Sequence, residues 1–383
     1  MKKIVGILGA AVMLASSVFA ADMAAKVYMT GNIAGGDADN GVNFFKLDSV
    51  NQKDADALVV SANGDKAGAK FQLWYKYGCE WTGDTANNGG YVMKVRSTSL
   101  WFKPIDMVKI TLGDVEGDGY TEQIHWWMDA TGASLAQASS WDGKWSNCNT
   151  ASGRGFEVEV TPISGLTAKL TVAPGADNWF ANTKTAGTAA YGASLAYSFA
   201  DLTGLPISAQ LAWRDEGAKR NRSILAVGAD YGAASGAGFY GFLNARFYFD
   251  SSNGSWSHTG DNKLRGICLD NYLKYSVGNL KVMACVPVTI RVSGEDGDTS
   301  FMTFDLKATY GIGAYTPYLE IMNNGNAGEY SPIAFDGSTN FYVAVKPGVT
   351  FNVGSCSLDV AFLAEIGKDS FKWSVPFTAG VAF

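Results

Sequence analysis

The sequence is short of charge. Asp, Glu, Lys and Arg make up only 17% of its 383 residues, where globular domains run near a quarter. It holds 2 His, 9 Pro and 5 Cys. The net charge is -6, which excludes the basic footprint of a nucleic-acid binder. After the N-terminus no apolar run reaches the length of about 18 residues that a spanning helix needs, so an α-helical membrane protein is excluded. Disorder is excluded as well, because 47% of the chain is hydrophobic. There is no Gly-x-Ser-x-Gly elbow, no His-x-x-x-His pair and no Walker or Rossmann glycine motif in a strand-to-helix setting. The sequence therefore reads as that of a non-enzyme with no cofactor and no dedicated metal site.

What is abundant is glycine, at 45 residues, and aromatic residues, at 13%. Met1–Ala20 has the form of an export signal. Lys2 and Lys3 begin it, Ile4–Ala15 is a short apolar core, and Val18 and Ala20 sit before the expected cut at Ala21. Residues 1–20 are thus expected to be a cleaved signal peptide and residues 21–383 a single domain. Loss of the two lysines takes the net charge from -6 to -8.

Past residue 21 the apolar residues recur with period two. Trp373, Val375, Phe377, Ala379, Val381 and Phe383 share one face of the last strand, and Lys372, Ser374 and Thr378 share the other. Met302, Phe304, Leu306 and Ala308 alternate with Thr303, Asp305, Lys307 and Thr309 in the same way. Strands are expected at 24–34, 56–63, 68–77, 91–103, 107–113, 155–161, 166–173, 188–199 and 206–214. They continue at 222–231, 238–249, 265–276, 279–290, 299–310, 315–322, 339–350, 355–366 and 371–383. That is about 18, with 16 the alternative; Asn43–Asp48 either extends the second strand or packs in the first loop. Aromatic residues cluster near strand ends on the apolar face, among them Tyr75, Tyr77, Trp101, Tyr191, Phe199, Phe239, Phe249 and Trp373. Short links, such as Lys103–Asp106, Val277–Gly278 and Gly311–Ala314, alternate with long ones, such as 33–55 and 114–153. Short strands, aromatic girdles and turns that alternate in length define an all-β, transmembrane, antiparallel up-and-down β-barrel. The short turns and both termini belong on its periplasmic side.

The chain ends on Phe383 with apolar residues at every second position before it. This resembles the C-terminal strand signal of bacterial outer-membrane barrels, which implies recognition by the barrel assembly machinery. The hairpin from Leu100 to Gly113 and the signal region resemble those of porin-type barrels of spirochaete (treponemal-type) outer membranes. The resemblance implies outer-membrane lipid as surroundings, and porins of this kind often form homo-oligomers.

Function has to be read from the lumen and the loops. Lipid rejects charge, so alternation assigns fifteen strand cations and eight strand acids to the lumen face. The first five strands supply six of those cations and none of the acids. Lys70, Lys76, Lys94, Arg96 and Lys109 are the candidate pore-lining wall, which favours anions unless acids pair with it. The roughly forty-residue loop 114–153 carries Trp126, Trp127, Trp141 and Trp145, which are the candidate constriction. Those tryptophans pack on loops, fold into the lumen or meet a ligand. Cys79 and Cys148, on loops of neighbouring strand pairs, are the candidate disulfide. Cys268 and Cys285 lie on adjacent strands out of opposition and are not expected to bridge. His125 and His258 fall in external loops. The acidic stretches 114–119, 295–298 and 35–41 read as solvated turns, since none matches a calcium loop. The expected function is passive diffusion of small hydrophilic solutes, with a surface structural or adhesin-type barrel as the alternative.

Overall fold

The computed structural model describes residues 21–37, 41–47, 57–77, 91–115, 153–173, 190–215, 222–232, 237–250, 263–286, 288–292, 300–302, 304–323, 333–334, 342–367 and 370–382. From the N-terminus the strands are β1 (Ala21–Asp37), β2 (Gly41–Leu47), β3 (Ala57–Asn63), β4 (Ala67–Tyr77), β5 (Tyr91–Ile105) and β6 (Val108–Val115). Next come β7 (Gly153–Val160), β8 (Leu166–Ala173) and β9 (Ala190–Ser198). One helical turn, α1 (Ala200–Thr203), leads to β10 (Ile207–Asp215), β11 (Arg222–Tyr231), β12 (Gly238–Asp250) and β13 (Lys263–Val277). The rest are β14 (Leu280–Cys285), β15 (Val288–Arg291), β16 (Phe301–Met302), β17 (Asp305–Tyr310), β18 (Tyr315–Met322) and β19 (Ile333–Ala334). Last are β20 (Tyr342–Val353), β21 (Cys356–Ala361), β22 (Leu363–Gly367) and β23 (Phe371–Ala382).

The described ladders are antiparallel and join strands that follow one another in the chain, as in β9–β10–β11–β12–β13. The ring closes where β1 pairs with β23, from Lys26 opposite Ala382 to Asp37 opposite Lys372. Joining the first strand to the last closes the sheet on itself, which is the condition for a sheet to stand in hydrocarbon. Several segments are collinear parts of one pass. β14 and β15 share the same edge of β13, and β21 and β22 share the same edge of β23.

Alternation sorts the side chains onto two faces, and β13 shows the reason for the pattern in its residues. Asp270, Tyr272 and Lys274 are 0%, 3% and 4% exposed, while Leu273, Tyr275 and Val277 are about half exposed at 49%, 51% and 50%. Among the described residues the exposed face is the apolar one, with Leu195, Leu211, Leu243, Leu306 and Leu319 in its middle. Near the short turns this face ends in Tyr231, Phe239, Tyr275, Tyr310 and Tyr315; near the other rim it ends in Phe156, Tyr191, Trp213 and Phe371. Two aromatic girdles around an aliphatic belt are the outer surface that a bilayer covers. The short turns are tight. Val277 pairs with Leu280 across a two-residue turn in which Gly278 has φ +54°, a value that a side chain rarely tolerates and that suits the twist of a hairpin.

Three readings of the sequence are corrected. The stretch 33–55 is not wholly a loop: β1 runs to Asp37 and β2 folds straight back on it, Asp37 opposite Gly41. Asn43–Leu47 therefore belongs to the second pass, and Gly35–Asp37 is strand rather than an acidic turn. Lys103 is not in a turn either. β5 reaches Ile105, and Pro104 is accommodated because the β5–β6 ladder skips between Phe102 and Ile105, which removes the need for the amide that proline lacks. Trp101 does not join the lipid girdle. Its neighbours Leu100 and Phe102 are the exposed ones, at 55% and 40%, so the indole takes the lumen face.

Candidate functional site: the barrel lumen

The lumen wall has two electrical characters. Along β12 to β22 several charges meet an opposite charge on an adjacent strand. Arg246 donates from Nε to Asp270 Oδ2 at 2.5 Å and from Nη2 to Oδ1 at 2.8 Å. Lys307 Nζ lies 3.3 Å from Glu320 Oε2, and Lys346 faces Glu320 from the other side in the register of β18 and β20. Tyr318 and Thr350 both donate to Asp359, at 2.8 and 2.6 Å. Strand pairing places these groups. Lys307 and Glu320 are directly opposite, while Arg246 reaches diagonally, since Asn244 is the residue facing Asp270. Aromatic rings fill the space beside them: Phe242 stacks on Tyr272 with centroids 5.9 Å apart, and Lys274 Nζ lies 5.7 Å from the Tyr240 ring centroid.

The β4–β6 wall is different. Lys70 lies opposite Ser99, two residues before Trp101 on the lumen face. Lys76 keeps the strand phase of Lys70, and Lys94 pairs with Trp74 in that same phase. Lys109 lies opposite Glu159 of β7, but Glu159 holds an ion pair of 3.1 Å with Lys169, which also lies 3.9 Å from Glu157. Among the described residues the lumen phase of β4, β5 and β6 contains no acid. Arg96 is the exception to the expected wall. It falls between the pairs Gln72–Ser97 and Leu73–Val95 and has no opposite residue on β4, so it is the extra residue of a β-bulge. The sequence reading missed Lys103, which the extended β5 adds to this wall. At the rim below, Lys66 donates a hydrogen bond to Asp106. That bond and the Lys66 charge hold the exposed Asp106 carboxyl below its usual range.

Cys268 lies opposite Thr289 and Cys285 opposite Asp305, and Cys285 is a free, buried thiol, so these two cysteines do not bridge. Trp126, Trp127, Trp141, Trp145, Cys79, Cys148, His125, His258 and Phe383 lie outside the described residues, as does the expected signal peptide.

No family model and no curated protein matches the sequence. Solved structures do match it. The outer membrane protein opdK from Pseudomonas aeruginosa shares 8% identity, covers 94% of this chain and 99% of its own, and superposes with a TM-score of 0.54. OccAB4 of Acinetobacter baumannii gives 10% identity, 94% and 98% coverage and a TM-score of 0.57. OccK2 (OpdF) of Pseudomonas aeruginosa gives 8%, 95% and 97%, and 0.56. The shared feature is the fold, an outer-membrane porin-type β-barrel spanning nearly the whole of each chain.

Proposed function

We propose that the chain is exported to a bacterial outer membrane and works there as a passive channel for small hydrophilic solutes, with a preference for anions. The observation that carries this reading is the lumen phase of β4–β6, which among the described residues holds Lys70, Lys103 and Lys109 and no Asp or Glu. Counting each collinear group of segments as one crossing gives eighteen crossings among the described residues, a number compatible with an aqueous lumen. The mechanism needs no bond-making. A basic wall inside a low-dielectric cylinder raises the local concentration of anions and steers them along that side, while the paired charges of the opposite side leave the field one-sided. opdK has also been solved with vanillate, a carboxylate, which agrees with an anionic solute here. The likeness of the hairpin 100–113 to spirochaete porins, assembly through the strand ending in Phe383, and self-association all belong to this reading. Bilayers with the refolded protein should show stable channels that prefer chloride over potassium at 0.1 M KCl; absence of channels would favour the adhesin-type barrel. The tryptophan-rich loop expected at 114–153 is read as narrowing this channel. Deleting residues 130–147 should raise single-channel conductance, and unchanged conductance would remove the constriction from the reading.

A further inference from the structure

Resting on the channel reading, we propose that Lys103, Lys109 and Trp101 form an anion-binding station on the lumen face near the short-turn mouth. Trp101 is its positioning residue, and a carboxylate or halide is the ligand. Lys103 Nζ lies 5.8 Å and Lys109 Nζ 5.7 Å from the centroid of the Trp101 ring. Two ammonium groups therefore share one indole. The indole is itself fixed: it lies across Gly68 on β4, where a Cβ would overlap its nitrogen and Cε2. Such an approach is open only to glycine.

The chemistry of this arrangement differs from that of the lumen lysines paired with carboxylates, and it has two ammonium groups on one ring where Lys274 stands alone over Tyr240. A π face attracts an ammonium group through its quadrupole, but it carries no net charge. The indole holds both cations in place without neutralising them. Lys169 and Lys307, by contrast, are held by carboxylates that cancel their charge. The acids beside the station have their nearest cations elsewhere, Glu159 in Lys169 and Asp106 in Lys66, while Asp106 feels the Lys103 charge only as a weaker influence. Two like charges held near one ring are stabilised when an anion approaches them from the lumen water. The same ligand chemistry is offered by a halide and by the carboxylate end of an organic solute.

The test uses the refolded full-length protein and iodide, an anionic quencher of indole fluorescence, against neutral acrylamide. Subtracting the Trp101→Phe signal isolates the Trp101 emission. Iodide quenching of that emission should fall roughly threefold in Lys103→Gln/Lys109→Gln at low salt, while acrylamide quenching stays the same. Equal iodide quenching with and without the two lysines would overturn the station. In bilayers, Trp101→Leu should reduce anion selectivity and Trp101→Phe, which keeps a π face, should restore part of it; equal selectivity of Leu and Phe variants would show that the ring positions nothing. Channels that are anion-selective with no iodide effect would retain the porin reading and reject the station. Iodide accumulation without conductance would do the reverse.

Discussion

Lys94→Glu combined with Arg96→Glu is expected to move the reversal potential of the channel toward the cation limit, changing the anion-to-cation permeability ratio roughly tenfold at 0.1 M KCl. The change replaces two cations by two acids on the strand that borders both other members of the basic wall, β4 and β6. Lys94 pairs with Trp74 in the lumen phase, and Arg96 sits at the bulge, where the strand is free of a facing residue. Neither position has an acid opposite it on β4 to compensate the new charge. The effect should shrink at 1 M KCl, where the screening length falls to about 3 Å from about 10 Å at 0.1 M. A shift that persists undiminished would mean a steric rather than an electrostatic cause. A wild-type channel that prefers cations at moderate salt would refute the basic wall altogether.

The bulge at Arg96 also shows where the sequence stops being legible. Period two is a strong signal while it runs unbroken, and it located nearly every strand. One extra residue inverts the phase of all that follows. Straight alternation from Lys94 sends Leu100 and Phe102 to the lumen and Trp101 to lipid; the bulge reverses both. The signal was present, because Tyr91, Met93 and Val95 occupy odd positions whereas Leu100 and Phe102 occupy even ones. Lys103 is hidden by a different rule, because Lys-Pro at the end of an apolar run reads as a turn. Here Pro104 is tolerated in a strand because the ladder is interrupted beside it. Register was the second illegible quantity. Alternation alone puts Arg246 and Lys307 on the lumen face together with Lys70. Only strand pairing shows that Asp270 and Glu320 stand within reach of them, which divides the ring into a neutral arc and a basic one.

The neutral arc is expected to depend on its pairs for stability. Asp270→Ala should destabilise the folded barrel by about 3–5 kcal/mol, the usual cost of leaving a buried charge without its partner. Arg246 and Asp270 have side chains only 2% and 0% exposed, and the guanidinium meets the carboxylate with two nitrogens at 2.5 and 2.8 Å. This fork geometry makes such a pair strong and hard to replace. With the carboxylate gone, the guanidinium keeps its charge, as arginine does in proteins, so it must draw in water or disrupt the packing around Asn244. Arg246→Leu/Asp270→Leu should cost clearly less than Asp270→Ala, since two apolar groups leave nothing unpaired. Denaturant unfolding of the vesicle-inserted protein, followed by the mobility difference between folded and unfolded barrels on a gel, measures both. If Asp270→Ala unfolded at the wild-type midpoint, the guanidinium would have found other partners, and the arc would be held by its aromatic and aliphatic packing rather than by paired charge.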